Sequence, residues 1–138
     1  MTVAAEGGPT VSGGDVPKFQ ENLIAPSALV VTAPSFDDFP PIDKPIGIAW
    51  TPFQGGFVFL QIAAKDVQDA IFCRLPSDAG TATLPAEVMA QFSPGPGNCL
   101  TVLSAGYERF QAGEFSVELQ AMYVGTRPDG KIAGACSK

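Results

Sequence analysis

Histidine is absent from all 138 residues, and that absence limits what chemistry the chain can attempt. Without an imidazole there is no Ser–His or Cys–His nucleophile pair, no histidine metal ligand and no general base of the commonest kind. A Ser–Lys arrangement is the remaining substitute. Its candidates Lys18, Lys44, Lys65, Lys131 and Lys138 all fall in loops, at strand ends or in tails, where lysine is ordinarily a solvated charge. Carboxylates gather as Asp37, Asp38 and Asp43 in "DDFPPID". An oxygen-rich loop of this kind can hold calcium, which makes these three the calcium candidate. The EF-hand spacing is missing, however, and Asp beside Pro is ordinary turn chemistry. Asp66 and Asp69 flank a turn and have the residue type of a glycosidase pair, but no aromatic sugar platform accompanies them. The glycines of "GGPTVSGG" and "SPGPGN" do not follow a strand and open a helix, as phosphate-binding loops must. No catalytic residue, resident metal or cofactor is expected, and the chain does not read as an enzyme.

Charge and hydropathy narrow the classes further. Eight basic against fourteen acidic residues leave a net charge of −6, and no two basic residues adjoin. A nucleic-acid binder needs an electropositive footprint, so that class is not expected. No run of 18 apolar residues offers a membrane span. The opening "MTVAAEGGPTVSGG" has neither a basic nor an apolar signal region. "AGAC" at 133–136 has the look of a lipidation box but lacks an apolar segment before it. The three cysteines, Cys73, Cys99 and Cys136, allow three single bridges with one thiol left over. Cys73 stands in phase with Ile71 and Leu75 and reads as a buried free thiol. A Cys99–Cys136 bridge would pin a terminus that otherwise frays, and it points to an oxidising, extracytoplasmic compartment. Three reduced thiols in a cytosolic protein are the alternative.

The elements that must position these residues are strands. Residues 1–27 are rich in Gly, Pro, Ala and polar side chains and are expected to form a flexible or exchanged N-terminal arm. Its Phe19, Leu23 and Ile24 are able to dock elsewhere. Residues 28–138 form the folded domain. "ALVVTAP", "IGIAWTP", "FVFLQIAAK" and "AIFCRL" are short strands separated by Pro, Asp and Gly turns. "PAEVMAQF" is the one plausible helix, with Pro85 at a tolerated first position. "CLTVLSAGY" and "EFSVELQAMYV" flank the loop "ERFQAG". In the latter strand Phe115, Val117, Leu119, Ala121 and Tyr123 share a face opposite Ser116, Glu118 and Gln120. Trp50 is expected in the core, while Tyr107 and Tyr123 fit rim or core equally. About seven short strands with turn signals between them indicate an all-β fold, an antiparallel β-sandwich.

Three stretches, "ALVVTAP", "IGIAWTP" and "GGFVFLQI", carry a resemblance to immunoglobulin-like and fibronectin-III-like domains. In these, a Trp-Thr-Pro such as Trp50-Thr51-Pro52 ends an early strand. The continuation through "IFCRLPSDAGTATLPAEVMAQF" and "AGEFSVEL" resembles a module of exported bacterial proteins whose Pro-initiated helix closes one end of the sandwich. The likeness covers roughly residues 28–126, and the arm at 1–27 and the tail "RPDGKIAGAC" depart from it. It implies an extracytoplasmic binding or structural role without catalysis, and names no partner.

One strand poses the functional question. In "GGFVFLQIAA", Val58, Leu60 and Ile62 share one face, and Phe57 and Phe59 the other. A strand in a solvated sheet needs only one apolar face. The second can be covered by the chain's own arm through Phe19, Leu23 and Ile24, by Phe36 and Phe39 of the "DDFPPID" loop, or by a neighbouring molecule. The leading expectation is a non-catalytic structural subunit that self-associates into a surface assembly such as a fibre, sheath or shell. Phe57, Phe59, Phe19, Leu23 and Ile24 would be its interface. The alternative is a monomeric ligand- or protein-binding module of an exported bacterial protein. In either case the partner is a second copy or another surface protein.

Overall fold

The computed structural model describes residues 1–9, 15–64, 70–91 and 96–138. Asp66, Asp69, Lys65, residues 10–14 of "GGPTVSGG" and residues 93–95 of "SPGPGN" lie outside the described residues. The chain is mostly β, and among the described residues the strand ladders are antiparallel, beside one isolated parallel bridge between Val30 and Thr126. Among the described residues no helix is long and apolar enough to cross a membrane.

The described part of the N-terminal segment forms strand pairs within the chain. Strand β1 (Thr2–Ala5) pairs with β4 (Phe19–Asn22), and β2 (Gly8–Pro9) pairs with β3 (Asp15–Val16). Its composition is too poor in apolar groups for a core of its own, as the sequence indicates. Val3, Ala5 and Phe19 nevertheless alternate with solvent-facing residues, so one face of the ladder can rest on the rest of the chain. The Met1 ammonium donates to the Leu23 carbonyl at 2.9 Å, and the Leu23 N–H donates back to Met1 at 2.9 Å.

Two larger sheets follow. β5 (Val31–Ala33), β6 (Ile46–Trp50) and β9 (Thr81–Leu84) form a three-stranded sheet in the order β5-β6-β9. The second sheet has five strands: β7 (Phe57–Ala63), β8 (Ala70–Pro76), β10 (Cys99–Ala112), β11 (Phe115–Val124) and β12 (Gly134–Cys136). Their order is β11-β10-β7-β8, with β12 also pairing β10. One buried cluster draws on both sheets: Val31, Ile46, Ile48 and Trp50 from the first, and Val58, Leu60, Ile62, Leu100 and Val102 from the second. The period-two pattern in the sequence thus places the inward residues correctly.

Trp50 is buried in this cluster, and its indole N–H donates to the Ser77 carbonyl at 2.9 Å. Phe36 is buried there too, while Phe39 packs against its margin. Cys73 is a free thiol, half-buried beside Ile71 and Leu75. Burial pushes its pKa up. Cys99 and Cys136 are disulfide-bonded, opposite each other in the β10–β12 ladder.

Two local expectations are corrected. The helix α1 spans only Ala86–Met89, and Pro85 is its N-cap with an extended backbone rather than its first residue. "ERFQA" is strand, not loop, because β10 runs on to Ala112 and the hairpin closes on Gly113 and Glu114 alone. Gly113 has φ 61°, the positive value that a two-residue turn with glycine first demands.

Candidate functional site

The five-stranded sheet has two faces, and the pleat assigns them. Even-numbered residues of β7 and β10 point to the shared core, odd-numbered ones outward. Cross-strand register then builds the outer face row by row. Val124, Leu103, Phe59 and Arg74 stand in one row, and Met122, Ala105, Phe57 and Pro76 in the next. Phe72 is diagonal to Phe59, and Gln120 and Tyr107 extend the face along the hairpin.

This face covers itself only in part. Phe57 is just 5 % exposed, and the group over its ring is the Arg74 guanidinium, 3.9 Å from the ring centre. A flat guanidinium on an aromatic face shields the ring and gains cation–π attraction. Phe59 bridges Phe57 and Phe72, with ring centres 6.0 and 5.6 Å apart. Arg74 also lies 5.5 Å from the Tyr107 ring. Farther along, Arg109 pairs with Glu118 at 2.9 Å, and the Tyr107 hydroxyl donates to the same carboxylate at 3.2 Å. The bond from Arg109, more than that from Tyr107, draws the Glu118 carboxyl below its usual pKa. Phe72 at 57 %, Met122 at 50 % and Val124 at 41 % remain exposed.

The five residues expected to share an interface are not brought together. Phe57 and Phe59 lie on the outer face. The arm lies against the other side of β10: the Phe19 ring meets Phe110 at 5.0 Å, edge to face, and Phe110 is an even-numbered, inward position. The Ile24 carbonyl oxygen stands only 2.0 Å from where a Cβ on Gly106 would be. That crossing needs a residue without a side chain. The buried Ser104 hydroxyl donates to the Ser27 carbonyl at 2.7 Å, on the same side. Leu23 is buried and Ile24 exposed. Arg74 is the group stacked on Phe57, and the alternation of "AIFCRLP" is the signal that could have placed it there, since it sets Phe72 and Arg74 opposite Ile71, Cys73 and Leu75.

The carboxylate candidates are also separated. Asp37 accepts from Arg127 at 3.0 Å, and Arg127 pairs with Asp129 at 2.8 Å while donating to the Ser35 carbonyl. The Arg127 bond holds the Asp37 carboxyl below its usual pKa, with a second contribution from Ser35. Asp38 faces Lys138 at 3.9 Å. A guanidinium thus occupies the place a cation would take beside Asp37. Among the described residues no group of three or more acidic or cysteine side chains comes together as a metal site would need. Arg127, which the sequence reading did not single out, lines an open groove of about 340 Å³ with Val31, Pro34 and Lys131.

No family model matches this chain, and no curated protein or solved structure to which it was compared matches it either.

Proposed function

We propose that the chain is a non-catalytic structural subunit, an immunoglobulin-like β-sandwich that associates with further copies of itself through the outer face of its five-stranded sheet. The observation that carries this reading is the chemistry of that face. Phe59, Phe72, Met122 and Val124 form a contiguous apolar and aromatic surface, and its ring and ion contacts are all among its own side chains. Apolar patches of this kind on a folded chain mark interaction sites. A disulfide between Cys99 and Cys136 fits an extracytoplasmic assembly, since such bridges persist in oxidising compartments.

A second reading, a monomeric module that binds a different protein or a ligand, draws on one specific observation. The N-terminal segment pairs within its own chain and packs on Phe110, instead of reaching out to a neighbour. The experiment that separates the two is the solution mass of the Phe72→Lys variant beside the unmodified chain. Self-association through the face requires a mass above 14.3 kDa that falls when a charge is placed at residue 72. An assembly indifferent to that substitution would reject the face as the interface.

A further inference from the structure

Among the described residues the five-stranded sheet has β8 at one edge and β11, followed along β10 by the short β12, at the other, and the two edges are not alike. Natural sheets guard an open edge with proline, lysine, bulges or short strands. β8 ends in Pro76, and its Arg74 is turned over the Phe57 ring on the sheet face. β11 has ten residues with no proline and no lysine, and its regular register with β10 runs from Val124 to Phe115 without a bulge. Its one charge, Glu118, is already held by Arg109 and Tyr107 of its own chain.

The backbone direction of each β11 residue follows from the hairpin. The Gly125 N–H donates to the Val102 carbonyl at 2.8 Å, and the two-residue turn makes Ala112 and Phe115 a hydrogen-bonded pair. Pairs alternate along an antiparallel ladder. Phe115, Val117, Leu119, Ala121 and Tyr123 therefore bond to β10. Ser116, Glu118, Gln120, Met122 and Val124 turn both N–H and C=O outward. No described element outside β10 pairs with them. At the same end, Met122, Tyr123 and Val124 are three consecutive large apolar side chains at 50, 48 and 41 % exposure.

We propose that two copies of the chain join along β11, antiparallel about a two-fold axis, so that their five-stranded sheets continue as one. The proposal rests on the self-association reading above and adds a second, edge-on contact to it. Outward-bonding residues must oppose outward-bonding residues. A register centred on Gln120 meets this condition and uses all five on each strand. It sets Gln120 opposite itself, Met122 opposite Glu118 and Val124 opposite Ser116, with about ten backbone bonds between chains. On the alternate face, Val117 meets Tyr123 and Leu119 meets Ala121, apolar against apolar. A register centred on Glu118 instead would oppose two carboxylates, which is unfavourable. The strand is complementary to itself, and that is why a second copy, not an unrelated protein, is the occupant.

Gln120→Pro tests this with little cost to the monomer, because the N–H it removes points outward and serves no bond in the β10–β11 ladder. At a concentration where the unmodified chain is dimeric or larger, the variant should show at least a two-fold lower mass, with its thermal unfolding retained. Gln120→Cys, made with Cys73→Ser, should give a covalent dimer under mild oxidation, and it decides the matter if the proline variant does not fold. An assembly that survives Gln120→Pro, forms no crosslink in the Gln120→Cys variant and is lost in Phe72→Lys would overturn the edge contact and leave the face reading standing. A mass of one chain at every concentration would overturn both.

Discussion

Replacing both bridged cysteines by serine should lower stability by an amount that the loop size sets. The Cys99–Cys136 bridge has a sequence separation of 37 residues and ties the last strand to the first residue of β10. In the chain-entropy treatment, cross-linking a span of that size removes about 3.8 kcal/mol of disorder from the unfolded chain. Unfolding entropy near 60 °C is roughly 2.1 cal/mol/K per residue, or about 290 cal/mol/K for this chain, so the loss corresponds to a fall in Tm of about 13 °C. Without the bridge the three-residue β12 keeps its three ladder pairs with β10 and the backbone bonds of Ser137 with Gly97 and Asn98, but no covalent tie. The assay is thermal unfolding by circular dichroism of the Cys99→Ser/Cys136→Ser variant, with the unmodified chain in strong reductant as a parallel. Both should shift together. A fall under about 3 °C would overturn this expectation, because the bridge would then not restrict the unfolded chain by the amount its span implies.

Three further outcomes follow from named contacts. Gly106→Ala places a Cβ 2.0 Å from the Ile24 carbonyl oxygen, and must displace the segment crossing β10. Overpacking of this sort costs about 1–3 kcal/mol, so denaturant midpoints should fall and limited proteolysis should reach residues 23–27 sooner; unchanged proteolysis would count against the docked arm. Trp50→Phe removes the donor to the buried Ser77 carbonyl and leaves a void. A loss of about 2–4 kcal/mol in equilibrium unfolding is expected, and a loss under about 1 would mean that the indole N–H is dispensable. The Asp37 and Glu118 carboxyls titrate below their ordinary values of 3.8 and 4.5 because Arg127 and Arg109 bond their charged forms. Their stabilisation is present above those values and is lost as pH falls through the lower folded ones. Unfolding midpoints measured from pH 5 to pH 2 should drop more steeply for the unmodified chain than for Arg127→Met, and parallel slopes would reject the Arg127–Asp37 linkage.

How far the sequence could be read depended on whether the signal was local. The strands Ile46–Trp50, Phe57–Ala63 and Phe115–Val124 were legible because alternation is a property of neighbouring residues. So was the pairing of Cys99 with Cys136, on the argument that a terminus needs pinning. The hairpin turn was misplaced because "ERFQAG" contains polar residues, which a long strand tolerates where it is partly exposed. The arm's fold was hidden for a different reason: β1 and β4 lie far apart in the chain, and neither is apolar enough to announce itself. The cover over Phe57 came from Arg74, across a ladder between β7 and β8. Composition counts an arginine as a surface charge, so its role as a lid appears only once the register is known.

The most direct test of the central claim is the solution mass of the intact chain by light scattering over a wide concentration range. Self-association through the outer face gives a mass well above 14.3 kDa, rising with concentration and falling in Phe72→Lys. A mass of one chain throughout would contradict it, because Phe59, Phe72, Met122 and Val124 would then face water with no second copy to cover them.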